Sequence, residues 1–251
     1  MGGDFLQTGF GVRFEWGPAG AAHLAREAAC LVVVDVLSFT TTVSVAVESG
    51  ARVFPYAWRD ATAAEFAREV GAPLAVGRSA ACEDTPWTLS PEAVRRAPFT
   101  PRLVLPSPNG SAISAAAEGL PVVAACLRNG AAVGAWLAAH RYGTAERPVG
   151  VIAAGERWPD GSLRPALEDL LGAGAVIAAL RRNGRTSLSP EAGQAATAFT
   201  GSTDIAADVA GSASGRELTD AGFPSDVSIA TEADTSTTVP LLADGAFSAA
   251  D

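Results

Sequence analysis

The chain is poor in the residues that several common protein classes depend on. Its cysteines, Cys30, Cys82 and Cys126, are odd in number and lie far apart, so neither a disulfide framework nor a zinc site is indicated. Only two histidines are present, which disfavours a mechanism centred on histidine. No apolar run approaches the roughly 20 residues of a bilayer span, and no basic-then-apolar leader begins the chain. We therefore expect a cytoplasmic protein with no membrane partner.

Positive charge is also in short supply. The chain has 27 acidic and 18 basic residues, which give a formal net charge of -9. This balance argues against a polyanionic partner such as nucleic acid. A small anionic substrate would instead need a local positive site made by arginines, helix ends or a metal ion. The composition is compatible with either a monomer or a homo-oligomer.

Strand and helix patterns alternate regularly along the chain. Apolar strand patterns cover residues 11–16, 31–34, 52–56, 73–76, 103–105, 122–125 and 149–153. Helical patterns cover residues 18–28, 43–49, 61–70, 112–118, 130–139, 167–183 and 190–199. Residues 200–215, which are rich in Gly, Ala, Ser and Asp, form either a weak helix or a mobile surface segment. This alternation predicts a three-layer α/β/α fold with a largely parallel or mixed sheet, and residues 1–251 are predicted to form a single domain.

The segment LVVVDVLSFTTT, residues 31–42, is the most informative part of the sequence. Asp35 follows a strand that is apolar enough to be buried on both faces, and hydroxyl side chains and a helix come next. An anion at this strand end would meet Ser38, Thr40, Thr41 and the free N–H groups of the helix. The alternative interpretation is that Asp35 only caps the helix.

Polar residues follow three later strand patterns as well. Asn109, Gly110 and Ser111 form a turn after residues 103–105, and Arg128 follows residues 122–125. Glu168 and Asp169 begin the long helix after residues 149–153; adjacent helical side chains point about 100° apart, so one of them is expected to face solvent or a neighbouring loop. Turn chemistry and helix-dipole stabilisation are the alternative explanations of these residues. Together they predict a crevice suited to metal-assisted phosphate chemistry.

The order of these segments resembles the 2-phosphosulfolactate phosphatase family. The matching pieces are DVLSFTTT at 35–42, PNGS at 108–111, RNG at 128–130, AG at 154–155 with Glu168-Asp169, and residues 218–222 with Asp226 and Pro240. The resemblance implies a three-layer α/β/α fold. It also implies a magnesium-dependent enzyme that hydrolyses (2R)-2-phospho-3-sulfolactate to 3-sulfolactate and phosphate.

The chain departs from the family pattern at two positions where the family has arginine, which are Ser38 and Ala112 here. Each lost charge-assisted contact is worth roughly 1.5–3 kcal/mol, so we expect the substrate to differ. Arg78, Arg128 and Arg157 are the candidates to replace the missing charge.

The leading hypothesis is a Mg²⁺-dependent phosphatase that acts on a small 2-hydroxy acid phosphate such as 2-phosphosulfolactate. Asp35 is the predicted catalytic residue, as metal ligand, general base or nucleophile, so both a phospho-aspartyl intermediate and direct water attack are compatible with it. The predicted metal ligands are Asp35, Glu168, Asp169 and Asp226. The predicted substrate-binding residues are Ser38, Thr40, Thr41, Asn109, Gly110, Ser111 and Arg128. The competing hypothesis is a catalytically silent relative that binds a metabolite or a partner protein.

Overall fold

The computed structural model describes residues 3–57, 60–115, 117 and 119–250. Its strands are β1 (Val12–Trp16), β2 (Cys30–Val34), β3 (Arg52–Tyr56), β4 (Arg102–Pro106), β5 (Val122–Ala125), β6 (Val149–Ala153), β7 (Glu156–Arg157), β8 (Leu163–Arg164), β9 (Pro240–Ala243) and β10 (Ala246–Ala249).

The helices of the described residues are α1 (Gly17–Leu24), α2 (Phe39–Glu48), α3 (Ala61–Glu69), α4 (Pro91–Arg96), α5 (Gly110–Ala115), α6 (Gly130–Ala139), α7 (Leu167–Arg182), α8 (Pro190–Gly201), α9 (Ile205–Gly211), α10 (Ala213–Asp220) and α11 (Pro224–Ala230). Short 3₁₀ turns lie at Gly3–Leu6, Arg78–Ala80 and Leu127–Asn129. None of these helices combines the length and the apolar character that crossing a membrane requires.

The main sheet has eight strands in the order β1-β6-β2-β5-β9-β10-β3-β4. Strands β1, β6, β2 and β5 form a parallel block, and β3 pairs parallel with β4. The antiparallel hairpin β9–β10 lies between these two groups and pairs antiparallel with each of them. Strands β7 and β8 form a separate two-stranded hairpin. The sheet is therefore mixed.

Helices cover both faces of this sheet, which confirms the predicted three-layer α/β/α fold. Strand β2 shows why: all five of its residues are fully buried, and its side chains alternate between two cores. Val32 and Val34 pack into a core with α6, α7 and α8. Leu31 and Val33 pack into a second core with α1, α2 and α5. The segment that follows β2 therefore begins at a strand end that is packed on both faces.

Several elements can be compared directly with the sequence expectations. Residues 73–76 make only isolated bridges, such as Leu74 with Val104, instead of a strand. Residues 205–220 form α9 and α10, so the helical alternative for this region holds; the Asp204 carboxylate and the Ser212 hydroxyl accept N–H bonds at their first turns. The hairpin β9–β10 was not predicted. The assignment of residues 1–251 to one domain stays a prediction.

Candidate active site

Asp35 lies where β2 ends, and two separate helices hold its carboxylate. Oδ1 accepts a hydrogen bond from the Phe39 N–H at 3.2 Å, in the first turn of α2. Oδ2 accepts one from the Gly110 N–H at 3.0 Å, at the start of α5. The residue is only 7% exposed. Asp35 does cap α2, but it also binds the turn that carries Asn109, so capping alone does not explain its contacts.

The threonine hydroxyls that follow Asp35 serve the turn itself. Thr40 Oγ1 accepts from the Asp35 N–H at 3.0 Å and donates to the Asp35 carbonyl at 2.8 Å. Thr41 Oγ1 donates to the Val36 carbonyl at 2.8 Å. Both side chains are fully buried. Thr40 and Thr41 therefore shape the turn, and their role in substrate binding stays a prediction.

Asp169 ties together the loops that follow β2 and β6. Its Oδ1 accepts from the Val36 N–H at 2.7 Å, and its Oδ2 accepts from the Gly155 N–H at 2.8 Å. Burial, followed by repulsion from Asp35 and Glu168, raises the pKa of Asp169 well above its usual value. Glu168 is buried as well, and its Oε2 has no hydrogen-bond partner. Neither of these adjacent acids faces solvent.

Glu156, on β7, is a site residue that the sequence prediction did not include. Burial, with added repulsion from Asp35 and Glu168, raises its pKa from 4.5 to about 7. Asn109 Nδ2 donates to Glu156 Oε2 at 3.4 Å. The signal was present in the sequence as an acid placed directly after a strand and a glycine. We call Asp35, Glu156, Glu168 and Asp169 the acidic cluster.

The acidic cluster is not a ready-made metal cage. Within residues 3–57, 60–115, 117 and 119–250, no three His, Cys, Asp or Glu side chains are grouped closely enough to hold a metal ion. The assignment of Asp35 as the catalytic residue, and of Asp35, Glu168 and Asp169 as metal ligands, stays a prediction.

A cleft of about 250 Å³ opens beside the acidic cluster, and we call it the arginine cleft. Its walls are Leu37, Ser38, Arg78, Glu156, Ser214, Glu217, Leu218, Ala221 and Phe223. Arg78 Nη2 donates to Ser38 Oγ at 2.9 Å and to the Leu89 carbonyl at 3.0 Å. The guanidinium also lies over the Phe223 ring, 5.1 Å from its centroid. Arg78 thus brings a cation to Ser38, where the family pattern led us to expect arginine.

Asp226 belongs to the support of Arg78 and not to the acidic cluster. Its Oδ2 accepts from Arg78 Nε at 3.2 Å and from Nη2 at 3.1 Å. Its Oδ1 accepts from the Ser90 hydroxyl and from the Glu92 N–H. The residue is fully buried. These donors engage both carboxylate oxygens, so Asp226 positions Arg78 in this structure. The assignment of Asp226 as a metal ligand stays a prediction.

Arg128 is likewise placed away from the cleft. Its guanidinium donates to Ser44 Oγ at 3.0 Å, to Glu48 Oε2 at 2.9 Å and to Glu232 Oε2 at 3.2 Å. The side chain is 4% exposed. Two carboxylates neutralise Arg128, so its guanidinium is a structural ion-pair centre in this fold. Its role in substrate binding stays a prediction. Ser111 is also buried, and its hydroxyl has no hydrogen-bond partner.

The fold and the site together define an α/β protein whose strand ends gather buried carboxylates beside an arginine-lined cleft. Residues 19–245 match the family model described as 2-phosphosulpholactate phosphatase. The chain belongs to this family, which confirms the resemblance found in the sequence. A search of curated proteins found no match to the chain.

Proposed function

We propose that this chain is a Mg²⁺-dependent phosphatase that hydrolyses the phosphate ester of a small 2-hydroxy acid. The observation that carries the proposal is the meeting of the acidic cluster and the arginine cleft at Glu156. Hydrolysis of a phosphate monoester requires cationic groups that neutralise the phosphoryl oxygens and a group that protonates the leaving oxygen. This junction offers a place for each of these groups.

The donor set of the acidic cluster fits a magnesium ion. Mg²⁺ prefers carboxylate oxygens, keeps several waters and is commonly bound by only one or two carboxylates. Glu168 Oε2 is a buried oxygen without a partner, and the neighbouring carboxylates repel one another. A cation would relieve both features, and one or two carboxylates among Asp35, Glu168 and Asp169 would hold it, with water completing its coordination. When bound, Mg²⁺ would supply positive charge to the phosphoryl oxygens.

Arg78 and Ser38 are the proposed binding groups for the anionic substrate. The Ser38 hydroxyl accepts from Arg78, which leaves its own proton free to donate to an anion. Arg78 is 22% exposed, so part of the guanidinium faces the cleft. A charge-assisted contact of this kind is worth about 1.5–3 kcal/mol. Arg78 therefore replaces one of the two arginines expected at Ser38 and Ala112.

Glu156 is the proposed general acid. A carboxyl group with a pKa of about 7 is partly protonated at neutral pH and can protonate the leaving alkoxide. Burial is the largest cause of the raised pKa, so part of the increase persists when a cation offsets the repulsion from Asp35 and Glu168. Asn109 donates to Glu156 and fixes its orientation.

The test is a phosphate-release assay on 2-phosphosulfolactate and 2-phospholactate, with Mg²⁺ and with a chelator. We expect release that depends on Mg²⁺. Asp35→Asn should lower kcat by at least about a hundredfold, because the amide cannot supply the charge of the carboxylate. Asp244→Asn is the matched control, since Asp244 is an exposed acid on the β9–β10 turn and asparagine tolerates its φ of 50°.

Two results would count against the proposal. Wild-type protein that releases no phosphate from either ester would favour the silent relative that binds a metabolite or partner. An Asp35→Asn variant with wild-type turnover would reduce Asp35 to a structural cap.

A further inference from the structure

A second cleft of about 270 Å³ opens on the other side of Glu156 and Asn109. We call it the apolar cleft, because its remaining walls come mainly from Trp16, Pro18, Ala19, Ala154 and Leu163. Glu156 lines both this cleft and the arginine cleft. A ligand placed at the acidic cluster therefore has access to two chemically different spaces.

The walls of the apolar cleft come from elements that pack closely against one another. Trp16 ends β1, Gly17 begins α1, and Leu163 comes from the β7–β8 hairpin. A Cβ at Gly155 would lie 2.7 Å from Leu163 Cδ1 and 3.0 Å from the Arg164 carbonyl oxygen. Gly155 and Gly17 also have φ values of 66° and 63°, which favour glycine. The close approach of this hairpin fixes the position of Leu163 in the wall.

The charge distribution of the apolar cleft is unsuited to an anion. Among its described lining residues, Arg157 is the one cation; its side chain is exposed, so water screens its charge, and its Nη1 donates to the Gly161 carbonyl at 3.0 Å. Glu156 lies at the border of the cleft. A sulfonate placed there would lose water, meet apolar walls and lie near a carboxyl group, all of which are unfavourable. Phosphosulfolactate, with three anionic groups and no hydrocarbon substituent, leaves this space unused.

We propose that the apolar cleft binds an uncharged hydrocarbon substituent of the substrate. This inference rests on the proposed phosphatase function and names its substrate class, which is the phosphate ester of a 2-hydroxy acid with an alkyl or aryl side chain. The phosphate then lies at the acidic cluster, the carboxylate faces Arg78, and the side chain enters between Trp16 and Leu163. An apolar cavity of about 150 Å³ is enough for benzene, so 270 Å³ accommodates a branched alkyl chain or a phenyl ring.

The test compares 2-phospholactate with analogues in which ethyl, isobutyl or benzyl replaces its methyl group, and with 2-phosphosulfolactate. We expect kcat/KM to rise about fourfold for each methylene added until the cleft is full, because each buried methylene contributes to binding. The matching phosphonates, which cannot be hydrolysed, are titrated by calorimetry, so that binding is measured independently of turnover.

Leu163→Ser is the decisive variant. Leu163 is 40% exposed, so the substitution should leave the fold intact while making the wall polar. We expect it to flatten the dependence of both kcat/KM and affinity on side-chain length. Phe99→Ser is the matched control, since Phe99 is 65% exposed and lines neither cleft. It should keep the wild-type dependence.

The outcomes separate this inference from the function on which it rests. If 2-phosphosulfolactate is the best substrate, or if Leu163→Ser keeps the wild-type slope, the apolar subsite is refuted while the phosphatase stands. If no ester releases phosphate in the presence of Mg²⁺, the proposed function fails. The phosphonate titrations then still decide whether the cleft selects hydrocarbon side chains.

Discussion

Replacing Asp226 by asparagine separates two roles that the sequence and the structure assign to this residue. Asn has the same shape but lacks the charge that pairs with Arg78 at 3.1 Å. Breaking a fully buried ion pair costs about 3–5 kcal/mol. Arg78 is 22% exposed, so its guanidinium can be solvated once the partner charge is gone. We therefore expect the free energy of unfolding to fall by about 3 kcal/mol, at the lower end of that range.

The activity of Asp226→Asn should show a specific pattern. Without its partner, the Arg78 guanidinium no longer stays beside Ser38, and the substrate loses a charge-assisted contact of roughly 1.5–3 kcal/mol. We therefore expect KM to rise by about ten- to a hundredfold. The Mg²⁺ concentration that gives half-maximal activity should stay unchanged. Urea unfolding and phosphate-release kinetics at varied Mg²⁺ measure the three quantities.

The opposite pattern would refute this reasoning. A variant that needs much more Mg²⁺ but keeps the wild-type KM would identify Asp226 as a metal ligand, as the sequence pattern suggested. Arg78→Lys provides a comparison, since lysine keeps the charge but loses the planar fork that contacts both Asp226 and Ser38. It should raise KM without changing the Mg²⁺ requirement.

Two further predictions concern the acidic cluster and its support. Folding raises the pKa values of Glu156 and Asp169, so the folded state binds more protons than the unfolded state. The metal-free protein should therefore lose stability as the pH rises from about 5 to 7. Glu156→Gln should reduce this loss, which amounts to up to about 3 kcal/mol. Thermal melts in the presence of chelator measure it, and a stability that rises over this pH range would contradict the prediction. Gly110→Ala would place a Cβ 2.2 Å from the Phe39 ring, so it should lower both melting temperature and kcat. Gly193→Ala is the control: a Cβ at Gly193, on α8, would lie in open space, so this variant should lower neither the melting temperature nor kcat.

The fold was largely predictable because its central elements follow simple periodicity. Strand β2 is an uninterrupted apolar run, and such a run indicates a strand covered on both faces. The hairpin β9–β10 was missed because residues 240–249 are short segments with little alternation around Gly245. Its place in the sheet depends on pairing with β5 and β3, which are distant in sequence.

Site residues could be predicted only where a local sequence context, such as a strand end or a helix start, marks them. Asp35, Glu168 and Asp169 were predicted because carboxylates after strands and at helix starts have a recognisable context, and the structure places the three near one another. Their roles stay predictions. Glu156 owes its pKa of about 7 to burial and to neighbours from other segments, which no local pattern encodes. Arg78 and Asp226 are 148 positions apart, so their pairing appears only in three dimensions.

The position of β10 in the sheet has a consequence for synthesis on the ribosome. Strand β4, which leads to Gly110, pairs with β3. Strand β3 in turn pairs with β10, which connects both of them to the rest of the main sheet. Phe247 of β10 is fully buried and packs edge-on against Phe39, one turn from Asp35. The sheet connection between the Gly110 half and the Asp35 half of the site therefore forms only after residues 246–249 have left the exit tunnel. A nascent chain stalled before β10 would carry Asp35 without the completed sheet that supports its second helix.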